Sequence, residues 1–375
     1  MTNKKEQKYD KQSRQEDIKY LIKEIEKRHP DPYRNVSKER FLRSLQKSLS
    51  VRPEFFGIAI QESLALMKDA HTKVQNIIND NWLPIDLTYL ADSYCYILGT
   101  SCNYVNSIGA KVEKINEYSL REVNKKLKRL SSQENDEQLL KDLCFFYTGN
   151  NILKYYGFSS SNKVTLTTDK GVFTYPAGEE ITSIKKNPFK WKTKDFWGNE
   201  NYKFKVSRNT LIFQYNSCEL GNFSKEQLIE FKNQLISKTQ KIKYIVVDLR
   251  QNGGGDTEIM WDAFKNFPKD IPIYVATSRA TFSSAMHHLI YLKTKKRAIQ
   301  IGENAGQKPN RFGQGEEIVL PNSKLVVHRS VKDFQLIPGS KLKVLKPDIQ
   351  LPLTIKDYIN EEDPLEEWIE KNLNN

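Results

Sequence analysis

Apolar positions follow three textures along the chain, and each predicts a different kind of structure. In the first seventy residues they recur at helical spacing. Ile18, Leu21, Ile22 and Ile25 fall at i, i+3, i+4 and i+7, the signature of a helix from about Gln15 with one buried stripe. That helix must stop before His29-Pro30-Asp31-Pro32, because proline lacks the N–H and crowds the preceding turn. Ser37 is a candidate N-cap for a second helix that turns Phe41, Leu42, Leu45 and Leu49 inward. A third helix is expected from about Pro53 to Lys68. These helices form an N-terminal cap over residues 1–75, with the polar residues 1–13 fraying.

Residues 76–180 read as a mixed α+β insertion. The stretch Ile108 to Val123 predicts strand, turn and helix, the helix running from about Ser119 to Leu130. The polar run Ser131 to Glu137 is expected to be a surface break, followed by a helix to about Tyr147. Residues 163–175 and 202–215 alternate as strands.

From residue 223 the texture changes again. A helix from Phe223 to Lys238 leads to the buried strand Tyr244–Leu249 and a glycine loop. A helix from about Thr257 to Phe267, a strand at Ile271–Thr277 and a helix from about Ser283 to Lys293 follow. Repeated strand–helix units predict an α/β layered core within residues 181–375.

Composition narrows the class. The 375 residues include 18 Phe, 18 Tyr and 5 Trp, enough aromatic surface to exclude intrinsic disorder. No run approaches the ~20 apolar residues needed to cross a bilayer, so no membrane span is expected. The N-terminus lacks the apolar stretch of a signal peptide, so the chain as it stands is expected in the cytoplasm; a form with its leader removed would look the same. Four cysteines show neither a CxxC pair nor metal-ligand spacing with histidine, and no metal or cofactor is expected.

The net charge of +13 raises the question of an acidic partner. Basic residues are densest at Lys185, Lys186, Lys190, Lys192, Lys194, Lys203 and Lys205, interleaved with Phe189, Trp191, Phe196, Trp197, Tyr202 and Phe204. Such a run can stack single strands. A β-ribbon with one aromatic and one wet lysine face is the favoured reading, since no nucleic-acid motif accompanies it.

Chemistry concentrates in two loops after consecutive buried strands. Asn252-Gly253-Gly254-Gly255 can take positive φ and leave N–H groups bare near a helix start, where they hold an oxyanion. A tight strand–helix turn would use the same glycines. Ser283 stands at the start of the next helix, where its hydroxyl can enter a cleft and the N–H of Ser284 can face a developing negative charge. Serine is also a preferred N-cap, so neither loop decides by itself.

Together they do more. The run Val246-Val-Asp-Leu-Arg-Gln-Asn-Gly-Gly-Gly-Asp256 followed by Thr281-Phe-Ser-Ser-Ala285 resembles the C-terminal-processing (tail-specific) serine protease family, with its tricorn-core and interphotoreceptor retinoid-binding branches. Asp69-Ala-His-Thr72, Gly302 to Asn310, Leu320-Pro-Asn-Ser323 and Lys346-Pro-Asp-Ile349 match in the family's order, over roughly residues 15–370. The resemblance implies a ClpP/crotonase-like α/β core that cuts peptide bonds of unfolded or C-terminal segments through an acyl-enzyme. Ser283 matches the nucleophile; the N–H of Ser284 and of a glycine, Gly253 or Gly254, match the oxyanion hole.

Two bases compete on this reading. His71 stands where tricorn-type members carry their histidine, and Lys308 lies 25 residues after the serine, as in Ser–Lys processing proteases. The imidazole is favoured, because lysine needs burial to lose its proton near neutrality. His287 shares a helix face with Ser283, and His29, His288 and His328 are expected to be structural or exposed. The chain also departs from the pattern: Met286 replaces a glutamate, and Gly302-Glu-Asn-Ala305 lacks a threonine. No acid precedes Lys346-Pro-Asp, so the group that orients His71 is open between Glu303 and Asp69. These losses leave a rival reading, a degenerate relative that binds peptide or a hydrophobic ligand. Gly109 to Asn116 resembles a PDZ strand, yet the usual carboxylate loop is missing and a substrate-shaping insertion is favoured. The sequence leaves the oligomeric state open.

Overall fold

The computed structural model describes residues 10–78, 81–179 and 200–374. The lysine- and aromatic-rich run between Lys185 and Trp197, and most of the expected fraying N-terminus, lie outside these residues.

Three helices come first: α1 (Lys11–Arg28), α2 (Lys38–Lys47) and α3 (Phe56–Leu64). α1 begins four residues before the periodicity suggested, because the Asp10 side chain accepts from the Ser13 N–H and caps it. Ser37 caps α2 in the same way. The third expected helix is interrupted: 3₁₀ turns flank α3, and the second ends at Lys68 in the left-handed conformation (φ 51°). Ile18, Leu21, Phe41, Leu45 and Ile60 of these helices pack with Val74, Ile318 and Val327.

A short strand β1 (Lys73–Val74) leads to β2 (Ile85–Tyr89), β3 (Cys95–Thr100), β4 (Val112–Ile115) and β5 (Tyr118–Ser119). Then come α4 (Leu120–Leu127), α5 (Asp136–Tyr147), α6 (Asn150–Tyr155), β6 (Lys163–Thr168) and β7 (Gly171–Pro176). β2 and β3 form a hairpin and β5-β4-β6-β7 a four-stranded sheet, sharing one apolar cluster with α4, α5 and α6. Ser119 closes a capping box on α4.

The polar run at 131–137 is not the surface break expected. Ser131, Ser132 and Asn135 are buried, since their side chains bond the backbone and side chains around them. Ser132 Oγ donates to the Thr72 carbonyl (3.2 Å) and Ser131 Oγ to Asp142. Polar composition here serves loop-to-loop bonding.

The remaining elements are β8 (Tyr202–Ser207), β9 (Thr210–Tyr215), α7 (Lys225–Lys238), β10 (Tyr244–Asp248), α8 (Trp261–Asn266), β11 (Ile273–Thr277), α9 (Ser284–Lys295) and β12 (Ile299–Gly302). The chain closes with β13 (Asn310–Val319), β14 (Val326–Gln335), β15 (Ile349–Gln350), α10 (Ile355–Asn360) and α11 (Pro364–Asn372). Six strands form one sheet in the order β15-β12-β11-β10-β9-β8, parallel throughout except for β8 at the edge. Both faces are covered. Ile245 and Val247 pack with Leu235, Phe264 and Leu289 from α7, α8 and α9, while Val246 packs with Leu365 and Ile369 of α11. That is why β10 reads as an unbroken apolar run instead of an alternating one. Each such fully buried side chain contributes about 1.5–3 kcal/mol. On β8, Tyr202 is buried and Phe204 packs beside it.

Candidate active site

The C-terminal ends of β10 and β11 lie side by side, so the loops that follow them open at one edge of the sheet, where α/β proteins place their sites. Asn252 staples the two loops. Its backbone carbonyl accepts from the Phe282 N–H (3.0 Å), its Nδ2 donates to the Tyr215 carbonyl (3.0 Å), and its Oδ1 accepts from the Gly254 N–H (2.9 Å). Gly254 has φ +102°, and a Cβ there would lie 2.5 Å from the Ser283 Cβ and 2.9 Å from the Ser284 nitrogen. Only glycine allows this approach.

Ser283 itself holds φ 52° and ψ −119°, a strained setting for a residue with a side chain. Although it stands at the N-cap of α9, its hydroxyl makes no capping bond. It faces His71 instead, with Nε2 and Oγ 3.0 Å apart. Among the described residues, the N–H groups of Gly253 and Ser284 form no hydrogen bond, whereas that of Gly254 is taken by Asn252.

His71 reaches Ser283 from the far side of the cleft. Left-handed Lys68 ends the cap helices, and the turn Asp69–Thr72 is closed by the Thr72 N–H on the Asp69 carbonyl (3.0 Å). β1 then pairs with β14, anchoring the turn to the β13–β14 hairpin. The imidazole stacks on Phe282, ring centroids 5.1 Å apart. Gln307, fully buried, bridges Ser283 and His71: its Oε1 accepts from the Ser283 N–H (2.9 Å) and its Nε2 approaches His71 Nδ1 (3.4 Å). Arg311 lies beneath, donating to the Ser283 carbonyl (2.6 Å) and the Pro309 carbonyl (3.1 Å).

Electrostatics keep the imidazole neutral. Burial first, opposed by the Asp69 charge but reinforced by Arg311 and Lys73, lowers the His71 pKa to about 4. A neutral imidazole at pH 7 is a competent proton acceptor.

Asp69 is already engaged. Its carboxylate accepts from His29 Nε2 (3.0 Å), Thr72 Oγ1 (2.5 Å) and the His71 backbone N–H (3.0 Å). Glu303 is turned elsewhere, accepting from the Leu353 N–H. A carboxyl that sequence reasoning did not single out, Glu134, lies close to the His71 ring. Its Oε2 is enclosed without a partner, and its Oε1 receives only a long bond from the Ala70 N–H (3.4 Å). Burial raises its pKa to about 8, against the pull of Lys308 and Arg311. Oxygens of Asp69 and Glu134 and a ring nitrogen of His71 lie within 4.8 Å of one another. Among the described residues this trio is the one group placed to share a metal ion, though Asp69 is committed to His29 and Thr72. Nothing in the spacing of Glu134 pointed to it, since it stands in a run rich in Ser, Asn and Asp.

Lys308 is not brought to the serine. No hydrogen bond joins it to Ser283 among the described residues; it lines a separate cavity together with Glu134. His287 packs edge-on against Phe334, centroids 4.7 Å apart, and His288 is buried with Nε2 2.8 Å from the Thr257 carbonyl. His29 is buried, as a structural histidine should be.

Solved structures place this geometry in a known architecture. The chain superposes on mature CPAF with a TM-score of 0.65 at 11% identity, covering 96% of each chain. A complex of mature CPAF with lactacystin gives 0.64, also at 11% identity, over 96% of this chain and 97% of that one. The chain has the fold of the C-terminal-processing proteases. A candidate peptidase from Parabacteroides merdae is similar at a TM-score of 0.51 and 12% identity, covering 96% of each chain. At these identities the likeness is one of fold. No protein-family model matches the sequence, and no curated protein matches it.

Proposed function

We propose that the protein is a serine peptidase that hydrolyses peptide bonds of unfolded or C-terminal protein segments through an acyl-enzyme. The observation that carries this reading is the 3.0 Å approach of neutral His71 Nε2 to the Oγ of Ser283, a residue held in a strained turn with no capping role.

In this mechanism His71 takes the Ser283 proton as Oγ attacks the scissile carbonyl. The N–H groups of Ser284 and Gly253 receive the oxyanion, Gly254 giving the close backbone approach. The C–N bond breaks as His71 returns the proton to the leaving amine, and a water activated by His71 releases the acyl group. Glu134, the carboxyl within 4.8 Å of the His71 ring, is largely protonated at pH 7 and would steady the imidazolium as an anion only after giving up that proton, and Lys308 is left out of the proton transfer. The enzyme would need no metal and no cofactor. Residues 1–75, 76–180 and 181–375 are read as cap, substrate-shaping insertion and ClpP/crotonase-like protease core.

The test is cleavage of an unfolded protein and a mixed peptide library, followed by mass spectrometry, with wild type beside Ser283→Ala. Fragments from wild type alone are the expected result. Equal cleavage by a folded Ser283→Ala would overturn the assignment, and saturable peptide binding without turnover would favour a degenerate binder.

A further inference from the structure

Away from the nucleophile, a cavity of about 1180 Å³ opens between the cap helices and the insertion. Its walls are basic on three sides. Arg40, Arg43 and Lys47 fall at i, i+3 and i+7 on one face of α2, so helical geometry aligns them. Lys128 and Arg129, just past the end of α4, stand on the insertion side, and left-handed Lys68 completes the ring.

Only one acid lines this cavity among the described residues, and it is spoken for. Glu62 pairs with Arg129 Nε and accepts from Tyr155 Oη (3.0 Å). Arg40, Arg43, Lys47, Lys68 and Lys128 have no ion pair among the described residues. Glu39, one turn before Arg43, is exposed and held by Ser37 at the N-terminus of its own helix. All five are exposed, so water and salt screen their mutual repulsion, and together they set one sign of charge around one hollow.

We propose that this cavity is a binding site for a compact polyphosphorylated small molecule. Two guanidiniums of α2 offer paired N–H groups that match phosphate geometry, and the lysines add point charges from the opposite walls. The concave shape suits a ligand that several walls touch at once and gives a flat anionic bilayer little to contact. Its volume lies slightly above the roughly 300–1,000 Å³ of most small-molecule sites. The site does not rest on the peptidase reading, and its failure would leave that reading untouched.

The experiment uses the full chain and inorganic tripolyphosphate, titrated by calorimetry at low and at physiological ionic strength. Saturable binding of one ligand per chain, weakening with salt, is expected. Arg40→Gln/Arg43→Gln/Lys47→Gln, and separately Lys68→Gln/Lys128→Gln, should each weaken it by about tenfold or more. A control that removes equal charge from exposed positions elsewhere, Lys225→Gln/Lys238→Gln/Lys241→Gln, should change it by less than about twofold. No saturable binding at low salt would overturn the proposal, and so would equal weakening by the control. Tighter capture of a glutamate-rich peptide than of tripolyphosphate would overturn the assignment to phosphate.

Discussion

Two of the buried arginines, Arg250 and Arg311, have carboxylates nearby and are treated in opposite ways. Arg250 donates to both oxygens of Asp248 and to both oxygens of Asp363, five bonds between 2.7 and 3.1 Å. Asp363 also caps α11, so the cluster ties the end of β10 to the helix covering the sheet's far face. Its neighbours push the Arg250 pKa upward despite burial. Arg311, almost as enclosed, has Glu134 near but bonds only carbonyls, with Nε unpartnered. Burial lowers its pKa to about 10 and raises that of Glu134 to about 8. The first cluster satisfies its charges and locks the scaffold; the second leaves them short of partners beside Ser283 and His71. Polar groups left unsatisfied in the interior are costly, and they gather where protons are to be moved.

The difference can be broken at its most active point first. His71→Ala removes the one base within reach of Ser283 and should lower kcat/KM for peptide hydrolysis by about 10⁴-fold, with unfolding by denaturant little changed. An equal loss of stability would show that His71 is structural. Arg250→Met should do the reverse. It strands Asp248 and Asp363 without their cation and should cost about 3–5 kcal/mol in urea unfolding. If that variant stays within ~1 kcal/mol of wild type, the locking role assigned to the cluster is wrong.

Acid should act on the fold through histidines that burial holds neutral. The folded-state pKa values of His71, His287 and His288 lie at about 4, 3 and 4, below the unfolded value near 6.5. Their neutral burial therefore adds stability above pH 6.5, which is lost as pH falls toward 4 and the unfolded chain takes up protons more readily. Glu134 has the opposite sign: its raised pKa adds stability below about 4.5 that is lost as pH rises through 8. Turnover limited by neutral His71 should persist below pH 6 and fall on an acid limb nearer 4 to 5. A limb at 6.5 would mean that the imidazole is solvated in the working enzyme.

How much of this was legible in the sequence depended on what carried the signal. Helical spacing in α1 and α2, the Ser37 cap and the buried strand that became β10 follow from local rules, and the structure agrees with them. The glycine loop and Ser283 were visible because close backbone approach and an exposed hydroxyl demand particular residue types. His71 entered through resemblance alone; 212 positions separate it from Ser283, and no periodicity links them. Glu134 and Gln307 stayed hidden for a related reason. A polar loop residue looks the same in sequence whether it faces water or a buried imidazole, and only the fold brings residues 134 and 307 to His71.

Glu134 and Lys308 give the smallest effects and the sharpest separation. Glu134→Gln keeps shape and hydrogen bonding but cannot ionise; because burial holds the Glu134 carboxyl largely protonated at pH 7, kcat there should move by less than about threefold and fall behind wild type only as pH rises past 8, with KM nearly unchanged. Because the glutamine does not ionise, the variant should also lose the stability change that Glu134 imposes as pH rises toward 8, a shift no packing defect would copy. Lys308→Ala removes only a cation that pulls on Glu134 from the neighbouring cavity. Turnover at pH 7 should move by less than about threefold, whereas the Glu134 titration should climb further. If Lys308→Ala instead abolished turnover while His71→Ala did not, lysine would be the base. The contrast between a satisfied cluster and a reactive one would then have to be redrawn around residue 308.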